Sequence, residues 1–450
     1  MHHPDHSLVP SAEQQMAWIT TICDRGIRRP GSAADEWTTG WIADRFRDLG
    51  LNDVHLEPVP LPRWEPRSWS LRVGPADAPG DTYELPCFPL PHSAPAPDGV
   101  EARITADGGD LNGALALSTV TLTQLPQTFM RDRALRHHDP DGDFDSLVQT
   151  LPFGRSMQAV MEPAIDAGAA GFIGIVDAPW ETCDYYVPYD AVERPIPGVW
   201  ISRASGDRLQ AMGPATGRLV VDSQRTPIVT HNVIGTLPGA SNEWVIIGSH
   251  HDGPWVSAVE DASGIALVLA QAQYWSSVPA EARPHNLLFL VTSGHMCHGA
   301  GTAAFIDAHR DFLSEVVLEV HLEHTARECR GSNGDLVPTD DPEVRWWFTS
   351  RNDALVNAVA SALEAEDLRR SLVVPPDVFG PHPTTDGGFF HTEGVPLMNF
   401  LTAPMYLFDA QDTPDKIHQA SLEPVTRAAI RIIAYTRGTT ADAMRSGVAQ

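Results

Sequence analysis

Apolar residues recur at helical spacing twice near the start of the chain. Met16, Ile19, Ile22 and Cys23 form one stripe; Trp37, Trp41, Ile42 and Phe46 form another after the breaker Arg29-Pro30-Gly31. Residues 12–50 therefore read as helix. From about 58 to 110 proline is dense, beginning with Pro58, Pro60, Pro62 and Pro66. Such a stretch predicts loops and edge strands, and it marks a domain boundary. Short β-like runs follow at 114–120, 171–176 and 219–221, with a helix-like stretch at 157–170. They describe a small α/β module, interrupted at about 123–152 by a charge-rich insertion that reads as a loop.

From 228 the texture changes. Apolar strand-like runs at 244–248, 286–292 and 316–322 alternate with helical patterns at 264–275 and about 300–312. Strand, loop and helix repeating in this order predict a mostly parallel sheet covered on both faces. Ligands bind at the carboxyl ends of the strands in such sheets. Polar clusters stand at those ends: His250-His251-Asp252, Ser293-Gly294-His295 and Glu323-His324. There is no internal repeat and no low-complexity tract.

Composition narrows the chemistry. The 450 residues carry a formal charge of −27, which argues against a surface for nucleic acid or anionic lipid. Lys416 is the single lysine, so Schiff-base chemistry has one candidate only. Nineteen histidines, by contrast, supply metal ligands and proton carriers. An apolar fraction of 42% supports a large core. No run of about 18 apolar residues predicts a membrane span. The polar start MHHPDHSLVPSAEQQ lacks an apolar signal core, and the five scattered cysteines lack a CxxC. Both features fit reduced thiols and a cytoplasmic location.

His250-His251-Asp252 has the form His-x-Asp, in which a carboxylate takes the second ring N–H of a histidine ligand and fixes its tautomer. Alone, it reads first as a polar strand end with no metal. Glu260-Asp261-Ala262-Ser263-Gly264 opens a helix, where carboxylates are favoured by the helix terminus in any case.

Taken together, HNVIGTLPG, GSHHD, EDASGIALVLA and DTPDKIH resemble the di-zinc aminopeptidase family. The resemblance covers 12–65 and 228–437. The intervening MEPAIDAGAAGFIGIVD and PIPGVWISRASGDRL resemble the protease-associated domain often inserted in that family. It implies an α/β fold with a mostly parallel central sheet and an inserted small α/β domain. The expected division is 1–68 and 228–440 for the catalytic-like domain, 69–227 for the insert and 441–450 for a tail.

The resemblance implies roles residue by residue. His250 falls on the first metal-ligand position and Asp252 on its supporting carboxylate. Glu260 stands where the family has a bridging Asp, and Glu323 where it has an Asp ligand. The family's Glu-Glu pair falls on His295-Met296, so His295 takes the place of the general base and Met296 that of a ligand. The terminal His ligand falls on Phe408. One divalent metal, with zinc ahead of iron or manganese, would keep His250, Glu260 and Glu323, and a two-metal clamp loses its second half. His295, His298, His324 and His391 stay open as completing ligands, with His295 preferred as proton carrier. Asp386 and His391 fall near the family's substrate pocket, and Trp255 is the candidate substrate-facing aromatic. Lys416 falls on a structural turn.

The expected activity is hydrolysis of an amide or peptide-like bond in a small molecule or short peptide. One alternative is iron or manganese chemistry, lyase or oxidative, in the same shell. Another is a non-catalytic binding protein of this fold. Acids replacing acids at 260 and 323 favour a rebuilt site over a decayed one. No nucleic acid or membrane partner is expected, and self-association into a homo-oligomer is left open.

Overall fold

The structure is a computed structural model describing residues 5–78, 80–154 and 159–446. The two predicted N-terminal helices are Ala12–Cys23 and Ala33–Asp48. Each starts on a serine whose side chain accepts a backbone N–H: Ser11 from Gln14 at 3.3 Å and Ser32 from Asp35 at 3.2 Å.

The proline-dense stretch departs from expectation. Asn52–Pro75 is one long strand, antiparallel to an equally long strand, Ala215–Leu237. Pro58, Pro60 and Pro62 alternate along it, so the pleat turns all three ring nitrogens toward the same edge, away from the ladder with 227–231. Proline here is compatible with a long strand because that side has no ladder to break.

Ala215–Leu237 belongs to a 15-stranded sheet in which Asn52–Pro75 covers one of its edges and two parallel groups share the other. Against its start lie Ala96–Ala106, Leu115–Thr121, Gly171–Asp177 and Gly198–Ser202, paired in parallel in that order. Against its end lie Asn286–Thr292, Trp244–His250, Val316–Leu322 and Leu397–Thr402, also mutually parallel. Arg345–Thr349 then adds antiparallel. The central strands are almost wholly apolar because both faces are covered, by helices such as Ser263–Ser277 on one side and Ala300–Ala308 on the other. The fold is the predicted mixed α/β architecture.

Two local expectations change. The 123–152 segment is not one loop. Gln124–Pro126 pairs with Val148–Thr150, and Arg136–His138 extends the main sheet beside Ser371–Val374. Three-residue strands are too short to show a period of two. The charges of the segment are partly used as anchors: Asp141 meets Arg369 at 2.6 Å and Asp143 meets Arg370 at 2.5 Å. The helix expected over 157–170 is confined to Glu162–Asp166, ending before Gly168 at φ +73°; residues 157 and 158 lie outside the described part. Among the described residues, no helix is long and apolar enough to cross a membrane.

Candidate metal and active site

The three polar clusters converge, as the topology requires. His250 ends its strand, His295 follows the 286–292 strand, and Glu323 and His324 follow the 316–322 strand. His250, Glu260 and Glu323 are fully buried, and His295 and His324 nearly so.

His250 donates Nδ1–H to the backbone oxygen of Asp252 at 3.0 Å, which leaves the Nε2 lone pair facing inward. Burial and the neighbouring His295 hold this imidazole well below its usual pKa, so it is neutral, the state a metal ligand needs. Nε2 lies 3.5 Å from Glu260 Oε1 and 4.0 Å from Glu323 Oε1. His324 donates Nδ1–H to Thr402 O at 2.9 Å and brings Nε2 to 2.6 Å from Glu260 Oε2. Even so, His250 Nε2, His324 Nε2, both Glu260 oxygens and Glu323 Oε2 are buried without hydrogen-bond partners. Unsatisfied polar atoms of this kind are rare in native interiors. Their donors fall into two overlapping sets, His250–Glu260–His324 and His250–His295–Glu323. Imidazole nitrogens and carboxylate oxygens at this spacing suit a divalent zinc, iron or manganese ion.

Supporting contacts fix each donor. His321 sits between two buried glutamates, with Nδ1 2.9 Å from Glu319 Oε1 and Nε2 3.2 Å from Glu323 Oε1. Burial opposes its charge, but the two carboxylates prevail and raise its pKa well above normal. Glu260 sits in a turn held by Asp412, which accepts the N–H of Val259 at 2.8 Å and of Glu260 at 2.9 Å. Asp261 Oδ2 lies 3.9 Å from His250 Nε2, and the carboxylate accepts from Ser249 Oγ, Gly264 N and His324 N. Gly264 has to be glycine: a Cβ there would stand 2.1 Å from Asp261 Oδ2 and 2.4 Å from Ser249 Oγ. The Glu260–Asp261 peptide is cis.

His295 is packed between two rings, His250 at 4.1 Å and Tyr189 at 5.5 Å. Its Nδ1–H donates to Asp386 Oδ1 at 2.8 Å. Asp386 also accepts from Thr292 and Thr302, each at 2.7 Å. Burial works against a charged His295, but Asp386, with Glu260 and Glu323 beyond, outweighs it and raises the imidazole to about 10. Asp386 in turn is held far below the carboxylate range: burial opposes this, and the His295 imidazole overcomes it. Nε2 of His295 points into the site, 3.6 Å from Glu260 Oε1.

The structure therefore gathers His250, Glu260, Glu323 and His295 at one point. Asp252 is adjacent, but its carboxylate does not take the His250 ring proton, which goes to its backbone oxygen. The carboxylate instead accepts the backbone N–H of His295 at 3.1 Å and of Met296 at 2.9 Å. Asp386 stands behind His295, within its hydrogen-bonding shell and outside the cavity lining. Trp255 and His391 are not brought in. Trp255 is buried against Phe88 and the Arg29 guanidinium and donates to Phe408 O at 3.1 Å. His391 is also absent from the cavity wall. His298 is absent from both candidate ligand sets.

Sequence reading undervalued His324, whose signal was adjacency to Glu323. His321 counted only as one of the spare histidines that could complete the site, although its alternation with Glu319 and Glu323 places all three on one face. It also gave Asp412 no task beyond its turn.

A cavity of about 700 Å³ opens onto the donors. Glu260, His295, Glu323 and His324 form its polar end, and Leu125, Phe129, Leu151 and Phe153 from the 123–152 region form one wall. Trp346, Phe348, Leu401 and Phe408 form another. Phe408 packs on Tyr189 with ring centres 4.9 Å apart.

Residues 232–433 match the model of peptidase family M28. The matched stretch contains every candidate donor, and the likeness supports a metal-dependent, aminopeptidase-like hydrolase. The fold is shared with a peptidase M28 precursor from Shewanella amazonensis at a TM-score of 0.68 and 19% identity, covering 94% of this chain and 92% of that one. It is shared also with a zinc aminopeptidase from Bacillus subtilis at 0.66 and 17%, covering 94% and 95%. An aminopeptidase from Aneurinibacillus sp. strain AM-1 gives 0.62 and 19%, covering 96% of each chain. No curated protein matches the sequence.

Proposed function

We propose that the chain is an amide hydrolase working with one divalent metal ion, zinc ahead of iron or manganese. His250, Glu260, Glu323 and His324 would hold the ion, and His295 would carry the proton. The observation that carries this is the set of buried, unpartnered donor atoms converging beside a cavity. Both candidate ligand sets share His250. Its Nδ1 is committed to the Asp252 carbonyl, so a single lone pair serves both sets, and that favours one ion over two. Met296 and Phe408 occupy the positions from which the family resemblance would draw the second ion's ligands, and neither side chain suits a divalent zinc ion.

When bound, the ion would polarise the amide carbonyl and acidify a water. The residues divide the remaining work. Asp386 keeps the Nδ1 proton of His295 in place, and a cation held by the neighbouring donors would oppose the charge that the carboxylates otherwise place on this imidazole, leaving Nε2 neutral and able to accept a proton from water. The same Nε2 then delivers that proton to the leaving nitrogen. Phe408, Tyr189 and the apolar walls limit water at the reacting bond.

The test combines elemental analysis with turnover of a panel of aryl amides. The proposal requires about one metal ion per chain after reconstitution, its loss in His250→Ala, and hydrolysis that is lost with it. Fewer than about one ion per ten chains, with turnover unchanged in His250→Ala, would sink it. A second reading rests on the His250–Glu260–His324 set, since two imidazoles and one carboxylate also suit non-haem iron. Oxygen-dependent turnover by the iron-loaded protein, without amide hydrolysis by the zinc form, would select that reading.

A further inference from the structure

The cavity beside the donors has a one-sided chemistry. Its described lining contains no lysine, arginine or aspartate. Its ionisable acids and imidazoles are Glu260, Glu323, His295 and His324, all of which belong to the donor cluster. Both carboxylates belong to the donor sets that would hold the ion, and Glu323 Oε1 also accepts from His321. No third carboxylate is present in the described lining to receive an ammonium. Thr385 and Thr402 donate their hydroxyls inward, to Asn399 Oδ1 and to the His324 carbonyl, and offer no free donor.

Beyond the polar end the described lining is mainly apolar, with Thr123, Thr384 and Tyr189 adding uncharged polar groups, and two large rings remain exposed beside it: Phe129 at 45% and Phe379 at 46%. A charged substituent entering this space would lose its hydration and, among the described lining residues, meet no oppositely charged side chain outside the donor cluster, a cost of several kcal/mol for an ion in an apolar medium. An aromatic or branched aliphatic group would instead be favoured by its full buried area. The volume of about 700 Å³ accommodates a group of that kind together with the amide.

From this we infer that the substrate is an uncharged amide bearing an apolar, preferably aromatic, acyl group, and that it has no free ammonium next to the scissile bond. This rests on the hydrolase reading for the bond that is cut, but the cavity's preference is measurable without turnover. An N-blocked or deamino acyl amide fits; a peptide with a free amino terminus does not.

The test uses three ligands that share the 3-phenylpropanamide skeleton, titrated by calorimetry at about pH 6, where the amine and the acid are both ionised, into the full-length, metal-loaded protein. They are 3-phenylpropanamide, phenylalaninamide and 2-benzylsuccinamic acid, which place hydrogen, an ammonium and a carboxylate-bearing arm next to the amide. The neutral compound should bind at least about tenfold tighter than either charged one. Phe379→Glu, a change at an exposed position, should weaken the neutral compound about tenfold and narrow or reverse its lead over phenylalaninamide. Equal or tighter binding of phenylalaninamide or of the acid overturns the inference. So does no measurable binding of 3-phenylpropanamide, or a Phe379→Glu protein of unchanged preference. Metal content and amide turnover on the same samples report separately on the hydrolase reading. Protein that holds metal and cleaves amides but prefers the ammonium refutes this inference alone.

Discussion

His295 is where one side chain matters most to the chemistry. Its imidazole is fixed on both faces by rings and at Nδ1 by Asp386, so only Nε2 is free to act. His295→Gln keeps a polar group of similar reach but cannot accept and return a proton near neutral pH. We expect kcat to fall by about 10² to 10⁴ while bound metal stays near one equivalent, measured by steady-state kinetics and elemental analysis. Asp386→Asn leaves the ring in place but removes the charge that supports the imidazolium. It should lower kcat by about tenfold or more, with a smaller change in KM. A residue far from this cluster offers a pH test. Glu343 is buried, and burial pushes its carboxyl up to about 8 against an unfolded value of 4.5. The folded state therefore binds the extra proton between those limits, and stability falls as pH rises from about 4.5 toward 8. Glu343→Gln should remove that slope. Thermal unfolding at pH 5 and pH 8 would show the variant gaining on the parent at the higher pH.

The element that governs the donors is the turn from Ser257 to Gly264. It carries Glu260 inward, and few of its contacts are its own. Asp412, from a distant loop, takes two of its N–H groups, while Asp261 ties it to Ser249 and His324. Asp412→Ala leaves two buried N–H groups unpaired, a loss of about 1–3 kcal/mol each before relaxation. Metal affinity should fall at least about tenfold, read by chelator competition, with the far-ultraviolet spectrum retained. Gly264→Ala should act in the same direction, because the added methyl collides with Asp261 and Ser249. Full metal affinity in both variants would mean that the turn does not position Glu260. This support was invisible at the level of motifs. EDASG read as helix capping or ligand; the partner that holds it lies about 150 residues away in sequence, at Asp412.

For the molecule as a whole, two long strands tie together segments that the prolines had suggested were separate. The 52–75 and 215–237 strands run through one sheet, and the 123–152 region returns to its far edge at Arg136–His138 and walls the cavity. Metal held at the strand ends is therefore linked to the central sheet. Loading at about 100 times Kd should stabilise the folded chain by about 2.7 kcal/mol, and chelation should lower Tm by several degrees in calorimetry. An unchanged Tm would place metal binding outside the folded core. The architecture was readable because strand–loop–helix alternation is a local pattern, and it put three polar clusters at strand ends before any distance was known. His250, Glu260 and Glu323 followed from their spacing and from family resemblance. What local pattern could not carry was partnership. Whether the His250 ring proton goes to the Asp252 carboxylate or its carbonyl, whether Trp255 faces substrate or Arg29, and whether 123–152 is a loop or a cavity wall depend on distant residues meeting. Those outcomes are set by packing and hydrogen-bond satisfaction across the sheet, which no stretch of chain encodes alone.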